Sequence, residues 1–146
     1  MRRGLVMPDV VDRLLDAVNA HDMEAVARCY SAQAVMIGPE LQADGPEEIR
    51  SYHDHVWEGF PDIRMTVWER LEQNDTVVLE GAFTGTHEGR FLISEGRLLE
   101  PTGNVVNFRF CWLFTKENDL ISAHRAYHDQ AEIYHQLGIR FVPVTA

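Results

Sequence analysis

The apolar residues change their period once along the chain, near Asp62, and that change sets the class of fold. Before it, Val10, Val11, Leu14, Leu15 and Val18 recur at helical spacing behind Pro8 and Asp9, which supply a start signal and an acidic first turn. Residues 23–30 (MEAVARCY) read as a second short helix, and residues 34–37 as a brief strand. Pro46, with Glu47 and Glu48 behind it, opens a third helix that carries Ile49, Tyr52, His53, Val56 and Trp57 and halts at Gly59. After Asp62 the pattern alternates. Ile63, Met65 and Val67 oppose Arg64, Thr66 and Trp68; residues 76–86 continue as strand, with Gly81 and Gly85 marking bends. Residues 105–115 (VVNFRFCWLFT) put Phe108, Phe110, Trp112 and Phe114 on one face. Residues 116–119 make a hairpin turn, residues 120–128 the last strand, and residues 131–137 a terminal helix closed by Gly138. Helices first and consecutive antiparallel strands after them predict an α+β fold, a curved sheet wrapped by the early helices around a pocket.

Size and charge narrow the partners. A chain of 146 residues with 45% hydrophobic side chains fills one domain, taken as residues 1–146. Its net charge of −10 repels phosphate backbones and anionic headgroups, so neither nucleic acid nor a membrane is an expected partner. Cys29 and Cys111 form no C-x-x-C pair, and with no long apolar run a reduced, cytoplasmic protein is expected. The chain has no G-x-G-x-x-G, P-loop or G-x-S-x-G. His53 and His55, or His124 and His128, lack a third ligand at a familiar spacing, so neither metal nor cofactor is expected.

Several segments occur together in order: DAVNAHDMEAVARCYSAQAV, GPEEIR, FPDIRMTV, GTHEG at 85–89, EPTGNVV at 100–106 and AYHDQAEIYHQLGI. With them the chain resembles the SnoaL-like polyketide cyclases of the superfamily shaped like nuclear transport factor 2. The resemblance implies a cone-shaped α+β barrel, commonly a homodimer, whose apolar pocket takes a hydrophobic small molecule. It also implies an intramolecular aldol condensation without metal or organic cofactor. Other relatives act as hydroxylases, dehydratases, isomerases or epoxide hydrolases, and some only bind ligands.

By that resemblance Asp129 is the expected general base; Tyr127 orients substrate or donates to an enolate oxygen, and Arg125 pairs with Asp129 or anchors an acidic group. The competing reading of Asp129 is a helix cap, since Glu132 follows at capping-box spacing. On a regular strand Arg125, Tyr127 and Asp129 share a face with Ile121 and Ala123, while His124 and His128 take the other. The family position favours the Asp129 face toward the pocket. His87, between flexible glycines, is the expected proton donor or partner of Asp129. Asn107 and Arg109 are candidate carbonyl-polarising donors or polar sheet surface. Trp57, Phe60 and Trp68 are candidate walls for planar rings. The aromatic ladder from Phe108 to Phe114 is expected to join two copies through their sheets. Residues 91–100, longer than the cyclase pattern has there, are expected to form a lid or a specificity loop.

Overall fold

The computed structural model describes residues 8–144, so the ends of the expected 1–146 domain lie outside the described residues. Asp9 caps helix α1 (Val10–Ala20) by accepting from the backbone N–H groups of Val11 and Asp12. His21 ends that helix in the left-handed region, and Asp22 at once caps α2 (Met23–Arg28). α2 is shorter than its apolar pattern predicts, because Tyr30 already opens strand β1 (Tyr30–Gly38). The chain then turns through Pro39 and Glu40 into β2 (Leu41–Asp44), four residues that the sequence reads as loop. α3 (Gly45–Gly59) follows, with Pro46 in its first turn and Ile49, His53 and Trp57 buried.

The second half supplies β3 (Arg64–Gln73), β4 (Thr76–Thr86), β7 (Val105–Glu117) and β8 (Leu120–Tyr127), closed by helix α4 (Gln130–Gln136). Between β4 and β7, residues 91–99 fold on themselves as β5 (Phe91–Ile93), a 3-10 turn and β6 (Arg97–Leu99). The main sheet is curved and runs β2-β1-β8-β7-β4-β3. Its pairs are antiparallel, as the hairpin turns predict, except β1 with β8, which is parallel. No hairpin links these two strands, so nothing local fixes their direction. Among the described residues no helix is long and apolar enough to cross a membrane.

Two bulges decide which side chains face inward. The β3–β4 register slips between Val67 and Glu69, so Trp68 is an extra residue, thrown outward and 54% exposed. Gly81 makes this possible, because a Cβ there would lie 2.0 Å from the Thr66 carbonyl oxygen. Gly81→Ala is expected to cost about 3 kcal/mol, read as a lower urea midpoint. An unchanged midpoint would show that the strands do not need this close approach.

The second bulge lies in β8. Its register against β7 slips between Thr115 and Lys116, leaving Ser122 unpaired, with its Oγ donating to the Thr115 carbonyl at 3.2 Å. The extra residue reverses the alternation. Ile121, His124 and Ala126 are buried, whereas Arg125 and Tyr127 are exposed. The regular-strand expectation that set Arg125, Tyr127 and Asp129 on the face of Ile121 is therefore corrected. The aromatic ladder is corrected too. Phe110, Trp112 and Phe114 are buried under the helices with Phe108 packed against them, so they are core and offer no dimer face.

Candidate active site

Between the inner sheet face, α3 and α4 lies a cavity of about 520 Å³. α3 presents Tyr52, His53, Val56 and Trp57 to it, and Phe60 follows. The sheet contributes Phe83, Phe108, Trp112 and Ala126, each on the face that its strand turns toward the helices. These walls are apolar and aromatic, the kind that takes up hydrophobic small molecules. Of the expected pocket walls, Trp57 and Phe60 line the cavity and Trp68 does not, for the reason the β3 bulge gives.

Polar groups gather at the rim, from three parts of the chain. Glu40 sits at the β1–β2 turn with φ of 58°, the left-handed region that costs a non-glycine residue energy. Its Oε2 accepts from the Tyr134 hydroxyl at 2.5 Å and from Gln130 Nε2 at 3.2 Å. Gln130 Oε1 lies 2.8 Å from His128 Nε2. The Glu40 carboxylate only accepts, so the Gln130 amide must turn its NH₂ to Glu40 and its oxygen to His128. His128 therefore carries its proton on Nε2 and leaves Nδ1 unprotonated. Burial holds its pKa below the ordinary histidine value, so the ring is neutral near pH 7. A neutral imidazole with one nitrogen hydrogen-bonded and the other free is equipped to act as a base.

The β5–β6 hairpin closes the mouth over this rim. The Ser94 N–H donates to the Tyr134 hydroxyl at 3.1 Å, and the Leu92 N–H to His55 Nε2 at 3.1 Å. Phe91 stacks on His55 with ring centroids 4.8 Å apart. Residues 91–100, expected to be a lid or a specificity loop, thus contribute Phe91 to Gly96 to the cavity lining and are tied to α3 and α4, with Leu92 48% exposed.

Away from the rim the cavity has a second polar feature. His53 is buried between Trp57 and Trp112, and its Nε2 has no hydrogen-bond partner. Burial pushes its pKa down to about 4 and that of the neighbouring Tyr52 phenol up to about 12, so both are neutral near pH 7. Behind them His124 is fully buried, with Nδ1 2.8 Å from the Tyr30 hydroxyl.

The expected catalytic set lies elsewhere. Asp129 is exposed, and its Oδ1 accepts from the Glu132 N–H at 3.2 Å, so it caps α4. With Tyr127, Arg109 and Trp68 it borders an open hollow on the outer face of the sheet. Arg125 is exposed on that same outer side. Asn107 is exposed as well, and its backbone N–H and carbonyl are held by the Gln136 side chain at 2.7 and 2.9 Å. His87 is buried but outside the cavity lining, with Phe60 at 5.4 Å between centroids. Its Nδ1 accepts from the Thr102 N–H at 3.1 Å, which ties the G-T-H-x-G segment to P-T-G. Gly89 completes that junction: a Cβ there would lie 1.9 Å from the Glu58 carbonyl oxygen.

Sequence reasoning ranked His128 below Asp129 and passed over Glu40, Gln130 and Tyr134. Glu40 and Tyr134 are 94 positions apart, and no local pattern joins them. Among the described residues no three His, Cys, Asp or Glu side chains gather as metal ligands do.

A family model described as a SnoaL-like domain matches residues 11–124. No curated protein matches the chain. Solved structures share its fold at low identity. A protein of Jannaschia sp. CCS1 assigned to the SnoaL-like polyketide cyclases is 23% identical, covering 90% of each chain with a TM-score of 0.79. A hypothetical protein of Catenulispora acidiphila with a ketosteroid isomerase-like fold, in complex with trimethylamine, is 14% identical. It covers 94% of this chain and 100% of its own, with a TM-score of 0.76. An LEH-like epoxide hydrolase of M. tuberculosis is 15% identical, covering 88% of this chain and 86% of its own, with a TM-score of 0.67.

Proposed function

The chain belongs to the SnoaL-like domain family, and from that premise we propose that it is a cofactor-independent enzyme acting on a hydrophobic carbonyl compound held in the inner cavity. The observation that carries this reading is the chain His128–Gln130–Glu40–Tyr134 at the rim of an otherwise aromatic cavity. In it His128 Nδ1 removes a proton from the carbon next to the substrate carbonyl. Gln130 Oε1 accepts from Nε2–H throughout and steadies the imidazolium as it forms, and Glu40 fixes the orientation of Gln130. The enolate carbon then attacks a second carbonyl of the same molecule. One C–C bond forms, and the new alkoxide takes the proton back from His128. The product is an isomer of the substrate, so the step needs no oxidant or co-reactant. Proton abstraction is the part of this sequence that an isomerase or dehydratase would share.

The test follows proton exchange rather than ring closure. Fused-ring ketones are incubated with the protein in D₂O, and loss of the α-proton signal is followed by NMR. At least one ketone that binds is expected to exchange faster than in buffer. If ketones bind and none exchanges faster, the enzymatic reading falls and a ligand-binding module remains.

The homodimer belongs to the same proposal, on a different surface from the one the aromatic ladder suggested. Trp68 and Tyr127, 54% and 55% exposed, lie together on the outer face and offer apolar area to a second copy. Light scattering is expected to give twice the chain mass, and Trp68→Glu a monomer. A wild-type monomer at micromolar concentration would contradict this.

A further inference from the structure

The β5–β6 hairpin is part of the cavity wall but not of the main sheet: its two short strands pair only with each other. Just before it, the chain is anchored by the backbone N–H groups of Glu88 and Gly89, which both donate to the Gly59 carbonyl. Beyond that anchor the hairpin backbone reaches the body through side chains, the Leu92 N–H donating to His55 Nε2 and the Ser94 N–H to the Tyr134 hydroxyl. The two acceptors differ. A phenol keeps its accepting oxygen across the physiological pH range, whereas an imidazole nitrogen accepts only while it carries no proton. Protonating His55 puts an N–H where the lone pair was, and two donors then face each other across 3.1 Å. Phe91 lies on the same ring, centroids 4.8 Å apart and planes 10° from parallel, so the imidazole cannot turn Nε2 aside without giving up that stack.

From this arrangement we propose that the β5–β6 hairpin is a lid on the cavity and His55 its latch, released when the imidazole takes up a proton. This rests on the reading of the cavity as the active site and adds the regulation of entry to it. Histidine is the side chain whose charge changes between about pH 5 and 8, so the latch works in a range that the fold survives. The charged groups around His55 are Asp54 and Glu58 on α3, Glu95 and Arg97 on the hairpin, and Glu40 at the β1–β2 turn. Among the described residues none of them forms an ion pair with His55, and Arg90 and Glu100 at the base of the hairpin pair with each other. The other imidazoles nearby are His87, edge-on to Phe91, and His128 across the mouth, both held below the ordinary histidine value by burial.

Two readouts test the latch, and neither needs catalysis. The first is hydrogen exchange of the Leu92 amide by NMR, expressed as protection relative to the unfolded rate at each pH. In the wild type protection is expected to fall about tenfold between pH 7.5 and 5.5, the worth of one hydrogen bond. At pH 5.5 His53, pushed down to about 4 by burial, is still neutral, so the core is unchanged. The second is the rate at which 2-naphthol enters the cavity, followed by stopped-flow fluorescence, which rises by about the same factor. His55→Gln, whose amide oxygen accepts at either pH, is slow at both. His55→Phe, which keeps a ring on Phe91 but offers no acceptor, is fast at both. Unchanged Leu92 protection in the wild type overturns the proposal, and this reading needs neither ligand nor variant. So does a His55→Gln variant that loses protection on acidification as the wild type does, which would pass the trigger to His87 or His128. A wild type that opens with acid but exchanges no ketone proton loses the catalytic reading alone. One that exchanges ketone protons with Leu92 protection unchanged loses this inference alone.

Discussion

Replacing His128 by Asn is expected to slow α-proton exchange by about 10²-fold or more, with the fold intact. The Asn amide reaches only as far as the lost ring Nδ1 and stops short of Gln130, which keeps its hydrogen bonds to Glu40 and Tyr134, while the free unprotonated nitrogen of His128 is gone. Asp129→Asn is the matched control. Asn caps a helix nearly as well as Asp, and the Asp129 carboxylate lies outside the cavity, so exchange stays within about twofold. The two variants are compared by exchange rate per folded molecule, with circular dichroism to confirm folding. A large loss in Asp129→Asn and none in His128→Asn would return the base to the outer face of β8.

The second large effect is on stability. His53 titrates near 6.5 in an unfolded chain and about 4 in the folded one, because burial penalises its charged form. Between those values the unfolded chain binds more protons, so stability rises with pH. The contribution is fully present above about pH 6.5 and is lost as pH falls toward 4. A shift of this size corresponds to about 3 kcal/mol by linkage. His124, packed behind His53 and pushed well below the ordinary value by burial, and His128 at the rim act in the same direction. Urea denaturation at pH 7.5 and 4.5 is expected to show at least that loss, with a shallower slope in His53→Phe. Equal stability at the two pH values would mean that these imidazoles are solvated.

Much of the fold is legible in the apolar periods. α1 runs within one residue of its pattern because Asp9 caps it and His21 stops it, and β4 and β7 begin where alternation begins. β2 is too short to carry a period, and the direction of β1 against β8 depends on contacts distant in sequence. The site was harder to read, for one local reason. Ser122 looks like any polar residue in an alternating strand, yet as a bulge it exchanges the two faces of β8. Beyond it Arg125, Tyr127 and Asp129 still lie opposite His124 and His128, but they no longer share the face of Ile121, and the Asp129 face, turned inward by the family position, points outward. The rim cluster adds a second reason: Glu40, Gln130 and Tyr134 meet only because β1 lies beside β8.

The protein carries its own reporters for where a ligand sits. Of its three tryptophans, Trp57 and Trp112 line the inner cavity and Trp68 borders the outer hollow. Intermolecular NOEs from a bound fused-ring ketone to the three indole rings therefore test the central claim most directly. Cross-peaks to Trp57 and Trp112, with none to Trp68, are the predicted result. Cross-peaks to Trp68 alone would move the ligand to the face of Asp129, Tyr127 and Arg109 and contradict the assignment of the active site to the cavity.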